Sequence, residues 1–344
     1  MKKLVSLLLV LVMVFTLAAC APKQPTGGDT SDEQTAKKVL GVVMPNATHG
    51  FLGESIKHAE AEVKALAEAN GFDYKFLTSK ESSEQNNQID TLINEKVDAI
   101  VLWPHNGDEL RSAAQSVMDA GIPLIIYDRL INGFTPTATI MGDNVSIGEL
   151  TGKYFNNYFA EELKAGEVQI LEFKGDNSTV PQQRHDGFLK TADKNFKIVQ
   201  SFSTDWQRAK AQDQMENLLN TSKPEDIEKI KAVFTHDDEV VLGVLDAISG
   251  YKGPTKLNIK LVSGVGARRE NLDTFKPTYE TLQVDQVTYA FSPAYVRQAV
   301  KLGLEVLEGK TLQKDYLIPT EEVDRSNEEA FRSSETYKIR YSIQ

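Results

Sequence analysis

Asp128-Arg129 closes an apolar run at 123–127 and sets a carboxylate beside a guanidinium. Comparable placements recur along the chain. His49-Gly50-Phe51-Leu52 follows a run at 39–44, Trp103 ends a run at 99–103, and His236-Asp237-Asp238 follows one at 232–235. Arg184 lies just inside an amphipathic stretch at 181–193, Trp206 follows Asp205, Val265 stands between Gly264 and Gly266, and Phe291 comes late in the chain. The set combines aromatic faces, carboxylates and guanidiniums. Vicinal hydroxyls both donate and accept, so carboxylates take their protons while arginine forks donate to adjacent oxygens. A sugar's C–H face stacks on Trp or Phe without polar cost. The pattern therefore suits a polyhydroxylated ligand. It lacks the activated Ser or Cys of acyl transfer and the clustered His/Cys spacing of a metal site. A binding protein is expected, not an enzyme, with no cofactor and no metal.

Each of these residues also has a plainer reading. Asp128-Arg129 can be a structural ion pair, Trp103 and Trp206 core aromatics, Arg184 a solvated helix charge, and His49 and His236 loop caps. His58, His105 and His185 are expected at the surface or behind the binding residues.

The elements that must position these residues alternate regularly. Strands are predicted at 39–44, 74–77, 99–103 and 123–127, with helices at 53–70, 83–95 and 108–120 between them. Apolar runs separated by helices of this length imply parallel βαβ units in a doubly wound sheet. After Asp143-Asn144 the rhythm restarts. Helices at 146–163, 181–193, 207–220 and 239–249 alternate with strands at 168–173, 198–202, 232–235, 260–262 and 281–284. The segments 97–101 and 230–234 echo each other, each a buried strand delivering polar residues at its C-terminal end. Ligands of open α/β sheets bind beyond those ends, so two such lobes facing each other would surround one cleft. The fold class expected is α/β, two doubly wound parallel-sheet lobes.

The chain has 344 residues, a formal charge of −11 and 25 % charged residues. This acidic balance shows no basic footprint for nucleic acid and is repelled by anionic headgroups. Its single cysteine, Cys20, permits no intramolecular disulfide. A body of roughly 300 residues suits two domains better than one.

Lys2 and Lys3 precede an uncharged apolar run at 4–17 that ends in Ala18-Ala19-Cys20. A run this short fits a secretory signal better than a membrane span, which takes about 20 residues. The small-small-Cys ending resembles the lipobox of bacterial lipoproteins. That resemblance implies cleavage before Cys20, lipidation of its sulfur, and a mature chain held to a membrane by lipid alone. The plainer alternative is an ordinary signal peptide that happens to end in cysteine. Loss of residues 1–19, which carry the two lysines and no acid, takes the charge to −13. Residues 21–36, rich in Pro, Gly, Ser, Thr and charge, read as a flexible tether.

The body resembles the ribose/galactose/xylose class of periplasmic sugar-binding proteins, the receptors of ABC importers, over about residues 38–320. Tyr127-Asp128-Arg129-Leu130-Ile131, with Pro104-His105-Asn106-Gly107 ahead and Asp143-Asn144 behind, is similar to the xylose-binding branch. Arg184-His185-Asp186-Gly187-Phe188 and His236-Asp237-Asp238-Glu239 look more like the ribose and galactofuranose branches. Carried over by position, the resemblance implies a pocket of His49, Phe51, Leu52, Trp103, Asp128, Arg129, Arg184, Trp206, Asp237, Val265 and Phe291. Ribose receptors carry Asn where this chain has His49, Trp103 and Asp237, and Asp and Gln where it has Val265 and Phe291. The loss of two polar partners points away from ribose and toward a ligand with more stacking surface: a hexose, a deoxy sugar or a short oligosaccharide.

The resemblance also implies a type 1 periplasmic binding fold with a three-segment hinge near Gly142-Asp143, Phe291-Ser292 and Pro319. Expected boundaries are a signal peptide at 1–19 and a tether at 20–37. The N-terminal lobe is expected at 38–142 plus 292–319, and the C-terminal lobe at 143–291 plus 320–344. The expected partners are a carbohydrate, an ABC permease and its ATPase, with the chain a monomer outside the cytoplasm. A sensory receptor serving a membrane kinase or chemoreceptor needs the same cleft and stays open as an alternative. A sugar-responsive repressor of the same fold would need a DNA-binding helix-turn-helix before the first strand, which residues 21–36 cannot supply.

Overall fold

The computed structural model describes residues 36–341. The expected signal peptide, Cys20 and most of the expected tether lie outside the described residues. From Lys37 onward the described chain lies in one compact unit.

Valine-rich and isoleucine-rich runs form the sheet strands because they are buried on both faces. The first half runs β1 (Val39–Pro45), α1 (Gly50–Asn70), β2 (Asp73–Ser79), α2 (Ser82–Asn94), β3 (Ala99–Leu102), α3 (Gly107–Asp119), β4 (Leu124–Tyr127) and β5 (Ala138–Gly142). Then come α4 (Asn144–Tyr158), α5 (Ala160–Ala165), β6 (Val168–Lys174), α6 (Thr179–Thr191), β7 (Phe196–Ser203), α7 (Arg208–Thr221), α8 (Pro224–Ile227) and β8 (Ile230–Thr235). The chain continues with α9 (Asp238–Gly250), β9 (Leu261–Gly266), α10 (Arg269–Leu272), α11 (Phe275–Leu282) and β10 (Asp285–Ala290). A 3-10 turn at Pro293–Tyr295 precedes α12 (Val296–Leu307), β11 (Asp315–Ile318), β12 (Glu322–Asp324), α13 (Glu328–Ser333) and α14 (Glu335–Tyr341).

These strands make two six-stranded sheets, ordered β11-β5-β4-β3-β1-β2 and β12-β10-β9-β8-β6-β7. Every neighbouring pair is parallel except β10 and β12, which run antiparallel. Helices cover both faces of each sheet, so each lobe has two apolar cores. On the first sheet, α1 and α12 pack one face while α2 and α3 pack the other. On the second, α7 and α9 oppose α4 and α6. The chain passes between sheets three times: from β5 to α4, from β10 to α12, and from β11 to β12.

Several elements differ from the sequence reading. The strand expected at 281–284 is the end of α11, capped by Gln283 in a left-handed conformation at φ 55°. The strand itself follows at β10, where Val287, Thr288 and Tyr289 form a buried run. No strand was expected at β5, and it completes the first sheet between β4 and β11. The single helix expected at 146–163 is two, because Phe159 leaves helical geometry at φ −103°, ψ 24° to bury its ring. Helix α1 begins three residues before the expected Gly53. That early start puts Phe51 and Leu52 in a helical turn.

Candidate functional site

Strands of both sheets end at one cleft. Its N-terminal wall begins at His49, the extended residue ahead of α1, at φ −155° with no side-chain cap bond. The imidazole stacks on Phe51, ring centres 6.5 Å apart and planes within 9°. Phe51 meets Trp103 edge-on at 6.2 Å, and Trp103 meets the buried Tyr127 edge-on at 4.9 Å. Asp128, at the end of β4, adopts φ 64°, a conformation few non-glycine residues hold. Its amide donates to the Ile140 carbonyl of β5 at 2.9 Å. Arg129 is held by the carbonyls of Pro104 and His105, at 3.3 and 2.9 Å, and its other nitrogen reaches Asp176 of the opposite lobe at 2.8 Å.

Arg184 leads the C-terminal wall from α6. Its Nε donates to Asn144 at 3.0 Å and its Nη1 to the His236 carbonyl. The guanidinium lies 5.0 Å from the centre of Phe291 and 5.7 Å from that of Trp206. Asp205 and Trp206 hold consecutive positive φ values of 50° and 63°. Such strain persists only where the surroundings impose it. Here the indole lies against Gly175, where any Cβ would come within 2.1 Å of the ring. Asp237 caps α9 through the Glu239 amide at 2.7 Å.

His49, Phe51, Trp103, Asp128 and Arg129 line a single cavity with Arg184, Trp206, Asp237, Val265 and Phe291. Of the residues expected at the pocket, Leu52 alone lies elsewhere. It is 1 % exposed, packs in the first lobe's core and borders the neighbouring groove, because the helical turn of α1 points it inward. Gly266 lines the cavity beside Val265, as the strand-end position of Gly264-Val265-Gly266 suggests; Val180 and Arg268 also line it and were not foreseen, nor was Asp176. Val180 and Arg268 sit in helix-start segments that carry no strand-end signal. His58 is fully buried against Arg297, not at the surface. His105 and His185 do stand behind the wall, bonded to the Ser79 carbonyl and to Glu172.

Burial sets the site's electrostatics. It raises Asp128 to about 6 against the pull of Arg129 and Arg184, and raises Asp237 to about 7. It lowers His49 to about 4, helped by Arg129, and lowers Arg184 to about 10. Arg129 pairs with Asp176 at 2.8 Å and Arg268 with Glu239 at 2.7 Å, while Asp128 and Asp237 face Arg184. A balanced set of buried charges favours a neutral ligand over an ion, since an added charge would go unpaired. At the cavity, His49 Nδ1 is buried with no hydrogen-bond partner among the described residues, and the Trp103 indole donates toward the Asp128 carboxyl. The space open to the centres of water molecules is about 40 Å³. Among the described residues no group of His, Cys, Asp and Glu is placed to hold a metal ion.

Residues 40–311 match the periplasmic binding protein domain family. The chain belongs to that family. It is a binding protein, not an enzyme. The ribose import binding protein of Bacillus subtilis is 27 % identical over 322 residues, covering 93 % of this chain and 98 % of that protein. Among the solved structures that share the fold are two with sugar or polyol ligands in their names. One is an ABC transporter solute binding protein from Bacillus halodurans with bound myo-inositol, with a TM-score of 0.74 and 23 % identity over 88 % of this chain and 99 % of the other. The other is the fructose binding periplasmic domain of a hybrid two component system, with a TM-score of 0.73 and 22 % identity over 88 % and 95 %. Among the described residues, no helix is long and apolar enough to cross a membrane.

Proposed function

We propose that this chain is an extracytoplasmic carbohydrate receptor, anchored by lipid at Cys20, that closes on one neutral sugar and delivers it to an ABC permease. The observation that carries the reading is the cavity itself. Charge-balanced arginines and aspartates face Phe51, Trp103, Trp206 and Phe291 around a space sized for a single ring. His49 Nδ1, buried at its lining without a partner among the described residues, stands ready for a hydroxyl. The binding residues are those that line this cavity, Asp128 and Arg129 from one lobe and Arg184 and Asp237 from the other. The three crossings between sheets serve as the hinge, dividing the chain into lobes at 38–142 plus 292–319 and at 143–291 plus 320–344. Contacts with both lobes are what let a ligand favour the closed state.

Apolar side chains at Val265 and Phe291, both buried at the cavity, favour a hexose, a deoxy sugar or a cyclic polyol over ribose. The small cavity favours a monosaccharide over a longer chain. A sensory role is the second reading, supported by the likeness to a sugar-binding domain of a two component system. The test is a thermal-shift screen of pentoses, hexoses, cyclic polyols and disaccharides, since binding raises stability by mass action. A stabilising hexose or polyol supports the reading; an inert panel with a stabilising amino acid or anion overturns it. For the anchor, Cys20→Ser is expected to release the protein from membrane fractions. Retention of the variant would count against lipidation.

A further inference from the structure

Two of the aromatic rings that line the cavity rest on glycines that do not line it themselves. Phe291, just after β10, lies over Gly142 at the end of β5, where a Cβ would come 2.0 Å from ring carbon Cε2. Trp206, in the turn ahead of α7, lies over Gly175 just after β6, where a Cβ would come 2.1 to 2.2 Å from three indole carbons. Both glycines are buried, and neither holds a positive φ. Alanine can therefore adopt either backbone, and what each position excludes is the side chain itself. At Gly148, Gly187 and Gly243 a Cβ would instead strike backbone, as in close helix packing. The Gly175 carbonyl also accepts the Thr204 and Asp205 amides, both at 3.2 Å, and so ties the turn that carries Trp206 to β6. Gly175 and Trp206 belong to one lobe, while Gly142 and Phe291 adjoin two of the crossings between lobes.

We infer that Gly142 and Gly175 are positioning residues that hold Phe291 and Trp206 back from the cavity, and so set the size of the sugar it admits. The inference rests on the carbohydrate reading for what enters the cavity. The space open to the centres of water molecules there is only about 40 Å³, so a small advance of either ring takes a large share of it. A side chain at either glycine has strand backbone behind it and must push its ring forward. Phe291 would move toward Arg184 and Phe51, now 5.0 and 5.5 Å from its centre. Trp206 would move toward Arg184 and His49, at 5.7 and 6.5 Å. Arg184 faces both rings and is itself fixed by Asn144 and the His236 carbonyl, so it cannot give way without losing those bonds. Close-packed interiors pass such a displacement on instead of absorbing it. One methyl group behind either ring therefore narrows the cavity from outside, at the expense of a hexose or cyclic polyol more than of a pentose.

The ring seats are tested first without ligand. Full-length wild type, Gly142→Ala, Phe291→Leu, Gly175→Ala, Trp206→Leu and the two paired double variants are refolded from denaturant to strip carried sugar, then compared by thermal unfolding. Each alanine variant should unfold roughly 2–6 °C below wild type, the scale of an overpacked core. Added to the matching Leu variant, the same alanine should cost little, so each pair departs from additivity. Where an alanine variant does not fold, folding of its double variant supports the seat and failure of both overturns it. Calorimetry then measures ribose, glucose, fructose and myo-inositol. Whichever of the last three binds wild type should bind each alanine variant at least about tenfold more weakly, the scale on which a pocket discriminates one methylene. Ribose should lose less, and Gly142→Ala should cost no further affinity once Phe291 is Leu. Additive unfolding losses, or alanine variants that bind within twofold of wild type, would overturn the inference. If the pairs are non-additive but no sugar of the panel binds wild type, the carbohydrate reading fails alone. If sugars bind and the pairs are additive, the ring seats fail alone.

Discussion

Behind Trp103 and Asp128 the N-terminal wall of the cleft is backed by aromatic carbon, whereas behind Arg184 and Asp237 the C-terminal wall is backed by buried ionic groups. Tyr127, fully buried, supports Trp103 edge-on, and its hydroxyl makes no hydrogen bond among the described residues. Across the cleft, Glu172 is equally buried but takes His185 at 2.7 Å, Ser201 at 2.7 Å and Lys174 at 3.4 Å, with the His236 ring 3.2 Å away. Burial alone would raise the Glu172 carboxyl, but its partners hold it well below the usual carboxylate range. Asp238 forms a second such node, accepting from Asn271, Thr288 and the Arg268 amide. One wall is therefore kept in place by packing and the other by hydrogen-bond geometry. The His236 carbonyl links that buried network to Arg184 at the cavity.

The largest contrast is expected on deleting one supporting group from each wall. Glu172→Ala leaves His185, Ser201 and the neutral His236 without their buried acceptor, and should cost about 3–5 kcal/mol of stability in all, at about 1–3 kcal/mol for each buried group left unpaired. Tyr127→Phe removes a hydroxyl that has no partner and should cost under about 1 kcal/mol. Urea unfolding of the two variants decides the comparison. Equal losses would mean that the N-terminal wall depends on polar bonds as much as its counterpart does.

Much of the first wall was readable in the sequence because its residues follow strands directly, and a parallel sheet aims what comes after a strand at the cleft. Asp128-Arg129 and Trp103 were placed this way. The Arg129–Asp176 pair was not readable, because Asp176 sits in a polar turn, Gly175-Asp176-Asn177-Ser178, that suggests only a loop. Its partner Arg129 lies 47 residues away in the other lobe. The strand β5 escaped notice for a local reason. Its sequence, Ala138-Thr139-Ile140-Met141-Gly142, has little apolar length of its own and becomes a strand only by pairing with β4 and β11. In α11, Leu282 continues the helical pattern to the very start of the next strand. The boundary is set by Gln283 entering the left-handed region, which side-chain type does not announce.

Ligand binding should draw on both walls, with the charged clamp strongest. Asp128→Ala and Arg129→Ala each leave a partner charge buried, and each is expected to weaken the sugar identified by the thermal screen by about 2–5 kcal/mol in calorimetry. Binding within twofold of wild type in both would remove the clamp from the site.

Each wall also carries one buried aspartate and one histidine with opposed pH behaviour. Asp237, raised by burial from 3.8 to about 7, keeps its proton in the folded protein where the unfolded chain has released it. Its contribution to stability is full below about 4 and is lost as pH rises to about 7. Asp128, raised to about 6, behaves likewise over a narrower window. His49 and His236, lowered by burial from 6.5 to about 4, contribute stability above 6.5 that is lost as pH falls toward 4. These slopes oppose one another, so wild-type stability should vary little between about pH 4 and 7. Asp237→Asn removes one falling slope, and the variant should gain stability relative to wild type as pH rises through that window. Denaturation at several pH values checks the sign; a gain toward acid pH would contradict the buried, protonated Asp237.

The smallest effect is expected at Trp103. Its indole donates toward the buried Asp128 carboxyl and helps to hold that group's pKa down. Replacement by Phe keeps the edge-on packing against Tyr127 and Phe51 and removes that donor. The ligand-free protein should therefore lose no more than about 1 kcal/mol of stability, the net value of one such bond. With sugar bound, the indole can turn its N–H to a hydroxyl, and Trp103→Phe should then lose about 1 kcal/mol of affinity. The two readouts together separate ring from donor. Lost affinity with unchanged stability makes Trp103 a polar contact on an otherwise aromatic wall. Unchanged affinity makes it a stacking surface alone, and leaves hydrogen bonding to Asp128, Arg129 and the C-terminal wall.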